Sequence, residues 1–454
     1  MNILILGAGQ VGSELTEILS EDGHSITLVD LDKEKLEKES EQLDIKTICG
    51  NCCYPQTLED ANIQDTELAI AMTEWDEVNL VACQMIKHLN KRTRTMARIR
   101  AREYLKGKGS KIFENGEYSV DVLISPETLI TEYISKLVQL PGALQVLDFG
   151  NGTASMVSVK AVSGAPITGH KVSELREHIP NADTRVAAIY REEEIIIPSG
   201  ADFIRDGDEV FFISAKANIK KVMSEIRPRD SKYKNIMIAG GGKIGRRLAK
   251  LLEDKFSVVK IIEKSRKRGD YLSENLNSTL VLNGDATDQD FLIEEGIDSV
   301  DMFCSVTDSD EANVMSSLLA KKLGAKKVLS LMNKQSFLDL IHQGEVDITV
   351  IPNEITVGVV LKNITKAKIE RAHTFKRGKS EAVELIANPE TTSNIIGKEI
   401  DDIKLPNGCT ISAVIRGKEV KIAHHDVKIH ENDHIIIFLS DKKLFPALET
   451  SLMN

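Results

Sequence analysis

Ile3-Leu4-Ile5-Leu6-Gly7-Ala8-Gly9-Gln10-Val11-Gly12, four apolar residues running into three spaced glycines, decides how the first quarter of the chain folds. A helical-looking stretch, 14–19, follows directly. Strand, glycine turn and helix in that order form a phosphate-binding turn. The first glycine permits a tight turn, the second lets the backbone approach a diphosphate, and the third lets the helix pack closely on its strand. The helix start then offers unpaired N–H groups and the positive end of its dipole to the phosphates. An acidic residue able to grip a ribose is expected at the end of the next strand, and the apolar run 26–29 ends at Asp30.

Working outward, short apolar runs of strand length recur at 3–6, 26–29, 45–48, 68–72, 95–99 and 120–124, with charged, amphipathic segments between them such as 33–42 and 78–89. That alternation predicts a parallel, doubly wound sheet of six strands, a Rossmann unit. The pattern then repeats. Residues 236–239 lead into Gly240-Gly241-Gly242-Lys243-Ile244-Gly245, and 258–262 end at Glu263, so Gly7, Gly9, Gly12 and Asp30 each meet a partner 233 residues later. A shift of 234 pairs Gly50 with Gly284, Thr73 with Thr307, Asp76-Glu77 with Asp310-Glu311 and Asn79 with Asn313. One residue added in a helix-to-strand connection accounts for the change, as loops absorb insertions easily. The two halves are duplicates.

Each Rossmann unit is followed by a smaller segment. Strand-like runs at 154–162, 186–190, 194–197 and 210–213 flank one helix candidate, 171–177. Ala188-Ile189-Tyr190-Arg191 matches Ala413-Val414-Ile415-Arg416 at a shift of 225, and Asp208 matches Asp433 likewise. A small α+β domain therefore closes each half, with helices at 126–140 and 354–366 crossing between domains. The expected order is a Rossmann domain over 1–125, a crossover over 126–143, a small domain over 144–228, a second Rossmann domain over 232–353, a crossover over 354–369 and a second small domain over 370–454. Length alone suggests about three domains; the repeat makes four.

No apolar run approaches the roughly 18 residues needed to cross a bilayer. Met1 leads straight into the first strand without a charged region, apolar region or cleavage site, which predicts a cytoplasmic, unprocessed product. A net charge of −11, from 58 basic and 69 acidic residues, argues against a general nucleic-acid binder, which needs a basic footprint. Cys49, Cys52 and Cys53 lack the second ligand pair of a zinc site and are expected to be free thiols in a reducing compartment. His24, His88 and His170 show no partner spacing and are expected to be surface residues, so no metal ligands are assigned.

With both halves laid out, the chain resembles the cytoplasmic regulatory subunits of bacterial Trk potassium uptake systems, which carry tandem RCK (KTN) domains. The resemblance spans the whole chain: both glycine turns, Gly50-Asn51 and Gly284-Asp285, Thr73 and Thr307 with their following Asp-Glu pairs, Ile124-Ser125-Pro126-Glu127, and Pro141-Gly142-Ala143-Leu144-Gln145-Val146. It implies a homotetrameric gating ring, peripheral on the inner face of the cell inner membrane. Such a ring controls a Trk-type membrane potassium transporter subunit (TrkH- or TrkG-like) in response to NAD or NADH and to ATP or ADP. Carried over by position, Gly7, Gly9, Gln10, Val11 and Gly12 would hold phosphates and Asp30 the ribose of the first pocket. Asn51, Met72 and Thr73 would lie beside the adenine or lower phosphate side, and Arg98 or Arg100 would reach terminal phosphates. In the second pocket Gly240, Gly242, Lys243, Ile244, Gly245, Glu263, Asp285 and Thr307 correspond. No residue is assigned a catalytic role.

The halves differ where charge matters. Met96-Ala97-Arg98-Ile99-Arg100 stands against Leu329-Ser330-Leu331-Met332-Asn333, so the second copy lacks both arginines and, with them, charge-assisted partners for a polyanionic tail. It carries Lys264, Arg266, Lys267 and Arg268 just after Glu263 instead. These read as a solvated helix start, and NAD against NADP stays open there. The cationic run 87–108 is either a charged helix end and loop or, through Arg98 and Arg100 on a strand, part of the ligand-bearing edge. Two other functions compete. An NAD-dependent oxidoreductase needs a proton-handling residue presented from a substrate domain, and the small segments offer no such constellation. A scaffold with vestigial pockets would bind nothing. Finally Leu129, Ile130, Tyr133, Ile134, Leu137 and Val138 form an apolar stripe suited equally to an oligomer interface or to the chain's own core.

Overall fold

The computed structural model describes residues 1–105, 107, 110, 111, 113, 120–180, 182–192, 194–226, 232–334, 337, 344–364, 369–375, 380–424 and 426–453. The chain divides into two compact units: Met1–Leu129 with Ile355–Val360, and Ile130–Glu354 with Leu361–Asn454.

In the first unit β1 (Asn2–Leu6), β2 (Ser25–Asp30), β3 (Lys46–Cys49), β4 (Leu68–Ala71), β5 (Arg94–Arg98) and β6 (Val122–Ile124) form one sheet in the order β3-β2-β1-β4-β5-β6. Every pairing is parallel. This is the doubly wound Rossmann order. Ile3, Leu4, Ile5 and Leu6 are all buried, which explains why β1 reads as an unbroken apolar run: helices cover both faces of a parallel sheet. Lys87, from the helix Asp76–Leu89, pairs with Asp121 at 2.9 Å, and Asp121 also accepts the Thr95 N–H, so the open edge of the sheet is tied down.

The second unit contains a copy of that sheet and both small domains. β12 (Asn235–Ala239), β13 (Val258–Glu263), β14 (Leu280–Asn283), β15 (Met302–Ser305), β16 (Lys327–Leu331) and β17 (Ile348–Val350) are ordered β14-β13-β12-β15-β16-β17. The edge tie is copied as well, with Asp347 between Lys321 and Lys327.

The small domains are antiparallel sheets of matching topology. β7 (Ala143–Phe149), β8 (Ala154–Lys160), β9 (Thr184–Arg191), β10 (Glu194–Ile196) and β11 (Glu209–Ala215) run β10-β9-β11-β8-β7. β18 (Ile369–Phe375), β19 (Ser380–Ile386), β20 (Cys409–Arg416), β21 (Glu419–Ile422) and β22 (His434–Leu439) run β18-β19-β22-β20-β21. The residues that revealed the repeat here form an ion-pair fork. Arg191 grips Asp208 at 2.8 and 2.6 Å, and Arg416 grips Asp433 at 2.9 and 2.7 Å. Both aspartates are buried. Each bidentate pair ties the sheet's hairpin to the loop before its central strand.

Those central strands, β11 and β22, face each other. Along β22, Ile436 and Phe438 point into a core shared with Phe211 and Ile213 of β11, while Ile435, Ile437 and Leu439 point into their own domain. A strand buried on both faces loses its polar alternation, hence the run His-Ile-Ile-Ile-Phe-Leu. A polar rim surrounds this core. Arg185 donates to the Ala423 carbonyl and the Thr410 hydroxyl, His424 meets Asp183 at 2.8 Å, and the Gly150 N–H donates to Glu384 at 3.0 Å.

Three sequence expectations are refined. β7 is a full strand that begins inside the motif 141–146. The helix expected over 171–177 is a 3-10 turn, Val172–Glu174, followed by the helix Leu175–His178. The Val172 and Ser173 N–H groups bond the Asp202 and Gly200 carbonyls, which takes them out of any helical ladder. The apolar stripe of the helix Pro126–Gln139 is spent within the chain: Ile130, Ile134, Leu137 and Val138 are buried.

The Phe211 and Phe438 rings lie 5.9 Å apart and both are buried, so each truncation to alanine is expected to cost about 3–5 kcal/mol. The double variant should be less destabilised than the sum by about 0.5–1.5 kcal/mol in a denaturant double-mutant cycle. Strict additivity would contradict a shared core.

Candidate nucleotide sites

At the first glycine turn the backbone leaves β1 through Gly7, whose φ of +106° suits glycine and whose N–H donates to the Val29 carbonyl at 2.8 Å. A Cβ on Gly12 would lie 1.9 Å from the Gly7 carbonyl oxygen, so the helix can sit this close only without a side chain. A Cβ on Gly9 would meet nothing within 4 Å. The first and third glycines are thus demanded by packing, whereas the second faces open space, where a diphosphate would need to approach. The helix Gln10–Glu21 starts at Gly9 with no side-chain cap and no acidic residue in its first turn. Its leading N–H groups, those of Gln10, Val11 and Gly12, have no partner within the helix.

The second turn repeats this geometry. Gly240 has φ +103°, a Cβ on Gly245 would lie 1.8 Å from the Gly240 carbonyl oxygen, and one on Gly242 would meet nothing within 4 Å. The helix Lys243–Leu252, opening with Lys243 and Ile244, likewise lacks a side-chain cap and a first-turn acid.

The acid at the end of the neighbouring strand is held against each turn. Asp30 accepts the Ala8 N–H at 2.6 Å and the Asp32 N–H at 2.8 Å. Glu263 accepts the Gly241 N–H at 3.0 Å and the Ser265 N–H at 2.8 Å. Both carboxylates are thereby aimed along the carboxyl ends of the strands, the edge at which doubly wound sheets bind ligands. A cavity of about 490 Å³ lined by Asn2, Ser25, Asp44 and Asn62 opens at the opposite, amino-terminal ends of β1 to β3 and is remote from this chemistry.

The far side of each site is built on a buried asparagine that the sequence marked only as a repeat. Asn79 accepts the Thr73 N–H and hydroxyl at 2.9 and 2.7 Å and donates to the Thr73 and Arg98 carbonyls. Asn313 does the same for Thr307 and the Leu331 carbonyl. Asp76 accepts the Arg100 and Ala101 N–H groups, as Asp310 accepts those of Asn333 and Lys334. These pairs fix Met72, Thr73 and the end of β5 beside the turn, since Gly7 packs against the Met72 and Thr73 backbone.

Beyond that shared frame the sites diverge. In the first, Arg98 is partly buried with its Nε bonded to no described group, and burial, with Arg100 beside it, lowers its pKa. Arg100 turns to Glu127 at the start of the crossover helix, 2.8 Å away. Asn51 accepts the Cys53 N–H, and Leu31 is 71% exposed. In the second, Lys264 replaces Leu31 and bonds Asp285 at 2.8 Å; Asp285 also accepts the N–H and hydroxyl of Thr287. Arg268 donates to the Gly241 carbonyl at 2.9 Å and lies over the Tyr271 ring, whose hydroxyl meets Arg246. Of the cations after Glu263, Lys264, Arg266 and Lys267 are exposed, as a solvated helix start requires, whereas Arg268 is half-buried against the glycine turn.

The six cysteines are free thiols, and burial pushes the Cys52 thiol up to about 12. His170 departs from expectation: it lies with Glu174 and His178 in one cluster.

Two Rossmann cradles, each followed by a small antiparallel domain, make this a tandem RCK-type protein. The TrkA-N domain model matches residues 3–126 and 236–352, and the TrkA-C domain model matches 156–227 and 386–444. The Trk system potassium uptake protein TrkA of Halomonas elongata is 46% identical over 450 residues, covering 99% of this chain and 98% of that protein. Its counterpart in Vibrio alginolyticus is 44% identical over the same span. The fold is shared with the GsuK channel bound to NAD at a TM-score of 0.62 and 16% identity, over 99% of this chain and 79% of that one. The chain belongs to the TrkA family.

The Lys264 contact and the two Thr287 bonds hold Asp285 at about 2, below the usual 3.8. Because the folded-state value is depressed, its contribution to stability is present above about pH 4 and lost as pH falls toward 2. Lys264→Met should move the Asp285 titration, followed by carboxyl NMR, part of the way back to 3.8. An unchanged value would show that Thr287 alone sets it.

Proposed function

We propose that this chain is the nucleotide-sensing regulatory subunit of a Trk-type potassium uptake system, and that it acts without making or breaking a bond. Family membership across the whole length supports the transport role. The observation that carries the sensing role is the twice-built cradle: an uncapped helix start, an open second glycine and a carboxylate held at the turn. In it, phosphates take the N–H groups of residues 10–12 or 243–245, and Asp30 or Glu263 exchanges its backbone partners for ribose hydroxyls. Asn51, Met72 and Thr73 line the first site, and Asp285 and Thr307 the second. NAD or NADH and ATP or ADP are the ligands, as support for which the related GsuK channel has been seen bound to NAD.

A nucleotide shifts a protein only by binding two of its conformations unequally. In the first site the group that separates ligands by tail charge is Arg98, whose Nε has no described partner; Arg100 is already committed to Glu127 and so links the same edge to the crossover helix. The chain works as a cytoplasmic, tetrameric ring, peripheral on the inner face of the membrane and docked to a TrkH- or TrkG-like subunit. No helix among the described residues is long and apolar enough to cross a membrane, which suits that placement.

Trp75, the single tryptophan, is exposed two residues past Thr73 and offers a local signal. Titration of the full chain should show saturable quenching with both NADH and ATP. Arg98→Ala should weaken ATP about tenfold or more, the value of a lost charge-assisted bond, and NADH much less. Equal losses for the two nucleotides would remove Arg98 from the discriminating role.

A further inference from the structure

Outside the nucleotide cradles, the first small domain gathers His170, Glu174 and His178, each with a ligand atom within 4.8 Å of the others. They are the one group of three or more His, Cys, Asp or Glu side chains so placed among the described residues. His170 Nδ1 lies 2.8 Å from Glu174 Oε2, and the two imidazole rings meet edge to face with centroids 5.2 Å apart.

The fold makes the cluster. The loop entering it is zipped to the segment before β11: the Gly169 N–H donates to the Ile204 carbonyl at 2.7 Å, and the Ile204 N–H returns a bond to the His170 carbonyl. His170 is thus fixed at its backbone. Leu175 and Ile179, four apart, are buried, so they anchor one face of the short helical turn to the core. Glu174 and His178, also four apart, share the neighbouring face and come out beside His170. Among the described residues the second copy of the domain does not build this. Its segment from Gly397 to Arg416 is three residues shorter than that from Gly169 to Arg191, and Lys398 stands after the glycine where the first copy has His170. Lys398 bonds Asn394 instead.

We propose that His170, Glu174 and His178 form a binding site for a divalent transition-metal ion, Zn²⁺ being the representative case, on the first small domain only. Two imidazole nitrogens and one carboxylate oxygen are a ligand set that zinc accepts, with water in the fourth position. Imidazole donors favour zinc, cobalt, nickel or copper over magnesium and calcium. Ligands sharing a tetrahedral zinc at 2.0–2.2 Å lie roughly 3.3 Å apart, so side-chain rotation is enough to close the triad without moving the backbone. The ion would staple the loop 169–171 to the helical turn through residues that neither nucleotide cradle uses.

The test is competition of the untagged, metal-stripped full chain against a chromophoric zinc chelator, with zinc-edge X-ray absorption on the one-equivalent sample. The expected result is one Zn²⁺ equivalent with nitrogen and oxygen neighbours. His178→Ala and His178→Gln should each weaken it about tenfold or more, at least the loss seen when supporting groups of metal sites are removed. The His170→Ala/His178→Ala chain should lose that equivalent, with circular dichroism unchanged because His170 is half exposed and His178 only partly buried. Equal affinity and stoichiometry in the double variant, or sulfur neighbours from the Cys49, Cys52 and Cys53 cluster in the wild type, would overturn the proposal.

Discussion

The carboxylate at the end of the second strand of each Rossmann sheet, bonded to a backbone N–H of the adjacent glycine turn, is the constraint on which the rest of the structure depends. It can form only if Gly7 or Gly240 turns through positive φ and if Gly12 or Gly245 lets the helix close onto that turn. Once formed, it presents an acceptor and a row of unpaired N–H donors to the same opening. A ligand with ribose hydroxyls and phosphates would satisfy both at once, and the same backbone geometry is reproduced 233 residues later.

Duplication has kept this frame and changed what surrounds it. The buried asparagine and aspartate pairs, Asn79 with Asp76 and Asn313 with Asp310, are identical in role because they fix the strand ends that shape the cradle. The groups that would meet the ends of a ligand have diverged. The first copy keeps Arg98 with an unbonded Nε and an exposed Leu31, whereas the second spans the corresponding region with Lys264 and Asp285 and covers its turn with Arg268. Two sites of one backbone design are thereby given different electrostatics, which is what unequal responses to nucleotides of different tail charge require.

Much of this was legible in residue order. Apolar runs broken by spaced glycines announced the parallel sheets, and the repeat exposed the four-part architecture that family membership confirms. What escaped was long-range or conditional on packing. The role of Asn79 could have been suspected from its partner Asn313, but its four bonds join residues up to 19 apart and follow no local pattern. The two faces of β22 were hidden because burial on both sides erases alternation. The 3-10 turn at Val172–Glu174 looked helical, but its Val172 and Ser173 N–H groups bond the carbonyls of Asp202 and Gly200. His170 looked solitary because its partner, His178, sits two turns away on a segment whose winding the sequence did not reveal.

Structure determination of the full chain at saturating NADH tests the central claim most directly. An adenine dinucleotide is expected at the first glycine turn, with phosphates on the Gln10 to Gly12 N–H groups and the Asp30 carboxylate moved from the Ala8 N–H onto ribose hydroxyls. Both turns free of ligand, with Asp30 and Glu263 still bonded to Ala8 and Gly241, would contradict the account.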